Sequence, residues 1–462
     1  MNEARMIPTR SFTSPSRQHG AAALVVTLLM LFGVTLVAFF ANRSMLFEQR
    51  TSANQYRSTR AFEAAEAGLE WAIARLNDDK KMVAAPSCST TGVLAQSFGD
   101  RYLELTAGGF TSLSATRGLN TNLRSGCSIS ATTGATTCSC PSAVAGLALG
   151  TATDARFTVE LIAVAGDPFS VRIFSYGCTN QGGYCEPSST ATPDAVAVVS
   201  AAYKMKPAFP NAPGAGLVTG SSAVTSGSLN VHNTDVLSNG ITINSGSTVE
   251  LGGGTSVTTL PGTPPRASVL DNDSSLAELT AADGTGDIFF ASFFGETMAE
   301  YKNNPKTYLI TSGSCAGNDR CATCTPGTSC GAAVSAAIDK GYGKFWTDAD
   351  ASWTSANLPG DGTLGTAAKP IMIASSASLE IKGSITAYGM LYAATGGAET
   401  WDYEGSGTGK VFGAFISRGS FLKGGSGNLD LIYDANTFKP ATMRGLMVRV
   451  PGSWRDTLAD YN

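Results

Sequence analysis

Twenty-one consecutive positions, Ala21 to Ala41, carry no charge (AAALVVTLLMLFGVTLVAFFA). At about 1.5 Å of rise per residue, such a run wound as a helix is roughly 30 Å long, the depth of one bilayer core. The pattern then changes without breaking. Phe62, Ala65, Leu69, Ile73 and Leu76 recur three or four residues apart and so share one face of a continuing helix, while Glu63, Glu66 and Glu70 lie largely off that stripe. Asn54, Gln55, Arg57, Ser58 and Arg60 make the intervening turns polar. No proline falls between Pro15 and Pro86, so one helix of roughly 80 Å is permitted. Its first half is apolar all round and its second half on one side only. Asp78, Asp79, Lys80 and Lys81 mark the polar end.

Beyond the helix the periodicity shortens to that of strands. Residues 82–150 are rich in Ser, Thr, Gly and Ala with only modest alternation. Three clearer strands follow, Arg156–Val164, Ser170–Tyr176 and Ala195–Lys204, the first two separated by the turn Ala165–Pro168 in the manner of a hairpin. An antiparallel sheet laid on the apolar stripe of the helix would bury both. Pro207, Pro210 and Pro213 then mark a boundary. Past it, short apolar pairs recur between small residues: Leu229 and Val231, Ile241 and Ile243, Val249 and Leu251, and later Ile371 and Ile373, Leu379 and Ile381, Leu429 and Leu431. Strands this short predict the coils of a β-solenoid; no strict period emerges, so a two-layer sandwich stays open.

Between the two series, Asp287–Asn303 places Phe289, Phe290, Phe293, Phe294, Met298 and Tyr301 on a helical face, followed by a second short helix near Ala332–Lys340. The first is expected to plug the open end or edge of the solenoid, where unpaired strands need cover. The resulting map is a leader (1–20), a long helix (21–80, with 21–41 its membrane half and 42–80 its amphipathic half), and an α+β head (81–206). A β-rich domain (214–438) with a helical, cysteine-bearing insertion (265–350) and a tail (439–462) complete it. The fold class is α+β: a long N-terminal helix packed on an antiparallel sheet, followed by a large β-rich domain, solenoid-like or sandwich.

Ten cysteines accompanying an export segment point to an oxidising compartment and disulfides. They form two even groups, Cys88, Cys127, Cys138, Cys140, Cys178 and Cys185, then Cys315, Cys321, Cys324 and Cys330. Pairing is expected within groups. Cys178 and Cys185 flank a Gly-rich turn and should pair; Cys138 and Cys140 are too close to bridge each other comfortably and should reach back to Cys88 and Cys127. The last four leave three connectivities open.

The order of leader, uncharged run and amphipathic half-helix resembles a type IV pilin. More narrowly, RQHGAAALVV, RTSANQYRSTR and AFEAAEAGLEWA are similar to the N-terminal domain of PilX-type minor pilins, over about residues 17–76. The resemblance implies a cut by prepilin peptidase between Gly20 and Ala21, an inner-membrane anchor with the head in the periplasm, and later residence in a surface pilus. Loss of the leader would take the net charge from −4 to −6, which offers no footprint for nucleic acid. Implied partners are other minor pilins, the major pilin and the inner-membrane assembly machinery. Val25, Phe62, Leu69 and Ile73 are the expected filament-packing positions.

One position departs from the family. Pilins commonly carry glutamate as the fifth residue after the cut, where it neutralises the amine of the earlier subunit; Val25 stands there instead. Lacking that carboxylate, the chain fits a tip or priming role, as in the K-type minor pseudopilins, better than a repeating one. The alternative is a tip adhesin whose β-rich domain binds surfaces or glycans.

Candidate chemistry is thin. His232 is the one histidine left after leader removal, in a strand-like run, and no nucleophile-elbow sequence accompanies it. The spacing from Cys315 to Cys330 could suit zinc, but export favours disulfides. Asp271–Ser275 has the alternating oxygens of a calcium loop without its later glycine and glutamate, and reads better as a helix cap before LAEL. Asp235, Glu250, Glu380, Lys382, Lys410 and Lys423 show no regular stacking that would suit a solenoid lyase. Trp346, Trp353, Trp401 and Tyr403 are candidate glycan-stacking aromatics. No enzyme activity and no cofactor are expected.

Overall fold

The computed structural model describes residues 19–106, 109–112, 123–130, 132–142, 149, 155–179, 185, 194–208, 210–324, 330–349, 351–354, 362–377, 379–382, 384–395, 398–399, 407–424, 427–442 and 445–456. The chain divides into two compact units, one ending at Thr59 and one beginning at Arg60. Among its described residues the first is helix alone. Helix α1 spans His19–Leu76, and every side chain from Ala21 to Arg60 is exposed.

The second unit begins with the last turns of α1. Ala61, Ala64, Ala65, Leu69, Ala72 and Leu76 turn inward and pack on a six-stranded antiparallel sheet. Its strands run, side by side, Leu446–Arg449, Ala195–Lys206, Ser170–Thr179, Ala155–Ala163, Ser125–Ile129 and Thr136–Ser139. Phe157, Val159, Leu161, Val171, Ile173, Val199, Ala201 and Tyr203 face the helix, the alternation expected of a sheet with one face on the core. The contact is unusually close. A Cβ on Gly177 would sit 2.0 Å from the Ala61 carbonyl oxygen and 2.4 Å from the Ala65 nitrogen, and one on Gly68 would sit 2.2 Å from Ser175 Oγ. Small residues on both partners bring the backbones together.

Five disulfides join Cys88–Cys140, Cys127–Cys138, Cys178–Cys185, Cys315–Cys321 and Cys324–Cys330. The first group pairs as its spacing suggests, and the open question in the second resolves into two adjacent clips. Cys88–Cys140 closes the longest loop, 52 residues. Short helix α2 (Phe98–Tyr102) lies beside it, and Arg101 donates to the carbonyls of Val83, Ser87 and Cys140, giving this core-poor region a second tie.

The β-rich region is a solenoid of parallel strands, which excludes the antiparallel sandwich. Its first coil consists of Leu217–Thr219, Ala223–Thr225 and Leu229–His232, and its second of Ile243–Ser245, Val249–Leu251 and Thr255–Thr258. Leu217 pairs with Ile243 and Ile243 with Val269, so here each coil takes 26 residues. The chain then leaves the stack and re-enters at Thr307–Thr311. From there Lys344–Thr347, Ile371–Ser375, Thr386–Ala393 and Thr408–Ser417 follow in order, each parallel to the last. The stack closes when Phe415 pairs with Leu217, Phe421 with Ala223 and Leu429 with Leu229. The last coil therefore lies on the first, and the solenoid is circularly permuted. Inward, Phe345, Ile373, Leu391, Phe415, Leu217, Ile243 and Val269 form one continuous apolar row.

The permutation explains the helices. To pass from Leu270 at one end of the stack to Thr307 towards the other, the chain must run along its side. It does so as α3 (Ser274–Ala281), α4 (Asp287–Phe294) and α5 (Met298–Asn303). The expected single helix breaks at Gly295, which is left-handed (φ +64°). Phe289, Phe290, Phe293, Phe294 and Tyr301 pack on Trp346, Ala374, Tyr392, Ile416 and Val218, the outward row of the same sheet. The expected plug is thus a lateral cover: it hides an apolar sheet face, not an open end. Helix α6 (Cys330–Lys340) packs against the solenoid core, and α7 (Ala435–Thr442) leads out of it. Asp273 caps α3 by accepting from the Ser275 nitrogen, the capping role read from the sequence.

The solenoid enters from strand Ala195–Lys206 and exits into strand Leu446–Arg449, and these two are neighbours in the head sheet. Residues 207–445 are thus an insertion between adjacent strands, and the tail completes the head.

Candidate functional site

The first unit offers a helix surface and little else. Val25 is 56% exposed, in company with Leu24, Leu28, Leu29 and Phe32. The Ala21–Leu76 helix contains an exposed stretch that is long and apolar enough to cross a membrane. Gly20 and Ala21 lie within its first helical turn. In the second unit the outer face of α1 carries Glu63, Glu66, Ala67 and Glu70.

The other three expected packing positions differ in what they offer. Phe62 is half-buried, edge-on to Trp454 at 6.4 Å, and Ile73 sits half-buried at the rim of the head core. Leu69 is only 2% exposed. It is spent on the head's own core and has no surface left for a neighbouring subunit, which corrects its assignment to filament packing. The small residues that define the helix–sheet contact, Ala61, Ala64, Gly68 and Ala72, were not singled out from sequence, although their three- and four-residue spacing in AFEAAEAGLEWA carries the signal.

The end of α1 is pinned to the rest of its unit by polar contacts. The Asn77 side chain donates to the Met447 carbonyl (3.0 Å) and accepts from the Met447 nitrogen (2.8 Å). Ion pairs then join the head to the solenoid: Lys306–Asp79 at 3.0 Å, Lys80–Asp319 at 2.9 Å and Lys369–Asp100 at 3.2 Å. Gly341 (φ +111°) lets the loop after α6 approach the Asp79 carbonyl. Within the solenoid, Lys344 is buried against Glu296 (2.5 Å) with its ammonium 4.0 Å over the Tyr301 ring.

Burial raises the Asp78 carboxyl above its ordinary value, outweighing the Lys80 nitrogen that its Oδ1 accepts from at 3.0 Å. A raised carboxyl contributes stability below its unfolded value of 3.8 and loses it as pH rises through the folded value. Asp78→Asn keeps the acceptor and removes the buried charge. It should raise the melting temperature at pH 7 and leave it unchanged near pH 3, as thermal scans at the two pH values will read.

The residues weighed for chemistry do not converge. All four cysteines from Cys315 to Cys330 are in disulfides and cannot be zinc thiolates. Among the described residues no group of three or more His, Cys, Asp or Glu could hold a metal. His232 is half-buried on its strand. Asp430 accepts from Asn230, which accepts from Ser256, a polar ladder across neighbouring coils. Trp346 is not the exposed platform expected: it is 1% exposed beneath α5, with the Lys302 ammonium 4.3 Å above its ring. The Trp353 side chain, Trp401 and Tyr403 lie outside the described residues. A cavity of about 460 Å³ is lined by Asp287, Lys302, Asn303, Trp346 and Ser376, and its carboxylate Asp287 is engaged by the Met298 nitrogen.

A long helix, apolar and exposed at first and then fused along a small-residue stripe to an antiparallel sheet, defines a protein of the pilin type. Residues 19–70 match the PilX N-terminal family model, so this N-terminal part is that of a type IV pilin of the PilX kind. Among solved structures, the chain is similar to the competence-associated pilin ComZ from Thermus thermophilus, at 13% identity over 86% of this chain and 97% of that one, with a TM-score of 0.20. No curated protein matches the sequence.

Proposed function

We propose that the chain is a minor pilin of a type IV pilus, processed by prepilin peptidase after Gly20, held in the inner membrane with its head in the periplasm, and assembled at or near the pilus tip, where it primes the filament. The observation that supports this most is α1 itself. Its first part is an exposed rod that begins apolar all round, and its second part belongs to the head core. Such a rod is stable in a membrane or among other rods, and passing from one to the other is assembly. The role is mechanical, without catalysis or cofactor.

Val25 supports the tip position. A filament subunit beneath another would need a carboxylate there for the upper subunit's amine. At the tip no such amine exists, and Val25→Glu would place an unpaired charge among apolar helices, at a cost of several kcal/mol unless it takes up a proton. The variant should leave pilus number unchanged or lower it. Counting surface pili and this subunit per unit of sheared major pilin tests the point; a rise in the sheared fraction, with labelled subunits spread along the shaft, would sink the tip assignment.

A second reading, the tip adhesin, is favoured by one feature of the solenoid. Val236 and Leu237 are 72% and 90% exposed on a loop held by Asn233, Asp235 and Ser238 hydrogen bonds. Val236→Ser with Leu237→Ser should cut adhesion to host or abiotic surfaces severalfold with pilus number unchanged; equal adhesion would remove this reading.

A further inference from the structure

Two hydrogen-bond donors beneath α5 lack acceptors. Trp346 Nε1 is buried with no partner, and the Lys302 ammonium, 4.3 Å over the same indole ring, makes no ion pair among the described residues. A buried donor without an acceptor is costly, so it marks a place that a ligand can complete. Both side chains line two cavities, of about 460 and 200 Å³. Thr285, Asn303 and Ser376 add hydroxyl and amide groups to the larger, and Thr311, Ser314 and Asn318 add them to the smaller. The lining crosses four neighbouring parallel strands at their ends, through Thr311, Asp348, Ser376 and Ala394. Three strand spacings make this cleft about 14 Å long, running along the stack beside α5.

We infer that this cleft binds an acidic sugar, a pyranose whose carboxylate takes the Lys302 charge and the Trp346 N–H while its hydroxyls meet the polar side chains around them. The inference rests on the reading of the β-rich region as an adhesin's binding part, and gives that reading a ligand class away from the Val236–Leu237 loop. Trp346 acts here as a buried donor, not as a stacking platform. A carboxylate is the group that answers both donors at once, because it alone matches an unpaired ammonium as well as an N–H. The rest of the lining suits a polyol: hydroxyls and amides that donate and accept, with the carboxylates of Asp287 and Asp348 to accept from sugar hydroxyls. Two other occupants fit less well. Lys302 is the one cation in the lining, too little for the successive phosphates of a nucleic acid. The backbone N–H groups of Asp348, Ser376 and Ala394 are spent on the carbonyls of Ile310, Thr347 and Ser375, so an extended peptide finds no strand edge to join.

The test is calorimetric titration of the full-length chain in detergent with trigalacturonate, sialyllactose, lactose and trialanine. At least one of the two acidic sugars should bind, and which of them binds tells a uronate polymer from a sialylated glycan; lactose and trialanine should give no heat. Lys302→Met keeps the stem over the indole and removes the charge, and should weaken binding about tenfold, whereas Lys302→Arg should retain it. Trp346→Phe, compared at equal melting temperature, should weaken binding severalfold; Lys302→Met carries the test if that variant does not fold. Heat from neither acidic sugar, equal binding of lactose, binding of trialanine in their place, or unchanged affinity in Lys302→Met each overturns the inference. If no sugar binds but Val236→Ser with Leu237→Ser still cuts adhesion, the cleft fails while the adhesin reading stands.

Discussion

Gly177→Val will pry the head off its helix. The new Cβ would lie 2.0 Å from one backbone atom of α1 and 2.4 Å from another, so no side-chain rotation can relieve the clash. Either α1 lifts away from the sheet, exposing Ala61, Ala65 and Leu69, or the strand Ser170–Thr179 buckles. Overpacking against side chains typically costs about 1–3 kcal/mol, and a clash with backbone belongs at or above that upper end. The expected loss is about 3 kcal/mol or more, read as a lower melting temperature by circular dichroism of the detergent-solubilised chain. Gly253→Ala, where a Cβ meets nothing within 4 Å, is the control and should shift stability by about 0.5 kcal/mol or less. Equal stability of the two variants would mean that helix and sheet are not in this close contact.

The second large effect concerns Gly20→Val. A peptidase that cuts between Gly20 and Ala21 must accept the backbone at the cut without a Cβ, and valine adds a branched one. The variant should remain full length in the membrane on an immunoblot, with mature protein reduced to a trace. Uncut chains keep their polar leader, so their helices cannot slide into a filament and sheared pili should lack the subunit. Normal-sized mature protein from the variant would place the cut elsewhere and remove the main support for processing as a pilin.

Much of the architecture was legible in the sequence, for reasons that differ by region. The long helix announces itself because one uncharged run passes into a 3.6-residue repeat without a proline. The head strands show through hairpin chemistry at Ala165–Pro168. The solenoid is harder. Its 26-residue step relates Leu217, Ile243 and Val269, and then gives way to 28 residues from Lys344 to Met372 and 18 from Ile371 to Gly389. Strands of two to four residues separated by Ser, Gly and Asn leave too little pattern to average over such changes. The closing contact joins Leu217 to Phe415 across most of the insertion, and no local pattern reports it.

The candidate site divides the same way. Exposure of the first half of α1 follows from its composition, but the fate of Leu69 and Trp346 does not. Both sit in patterns that fit either a surface or a core, and only the partner layer decides. For Leu69 that layer is a sheet brought close by Gly177; for Trp346 it is α5, laid over the outward row because the chain must travel back along the stack.

The insertion also sets an order of events during synthesis. The strand Ala195–Lys206 emerges early, yet its edge neighbour Leu446–Arg449 follows some 240 residues later, and the first coil waits almost as long for the coil that covers it. A chain that stops short of Leu446 has a head with a bare strand edge, and one that stops short of Thr408 also has a solenoid without its seam, both open to proteolysis and to mispairing with other chains. The tail strand is the final strand of the head sheet to be made. The head sheet therefore completes only after the whole solenoid has been made.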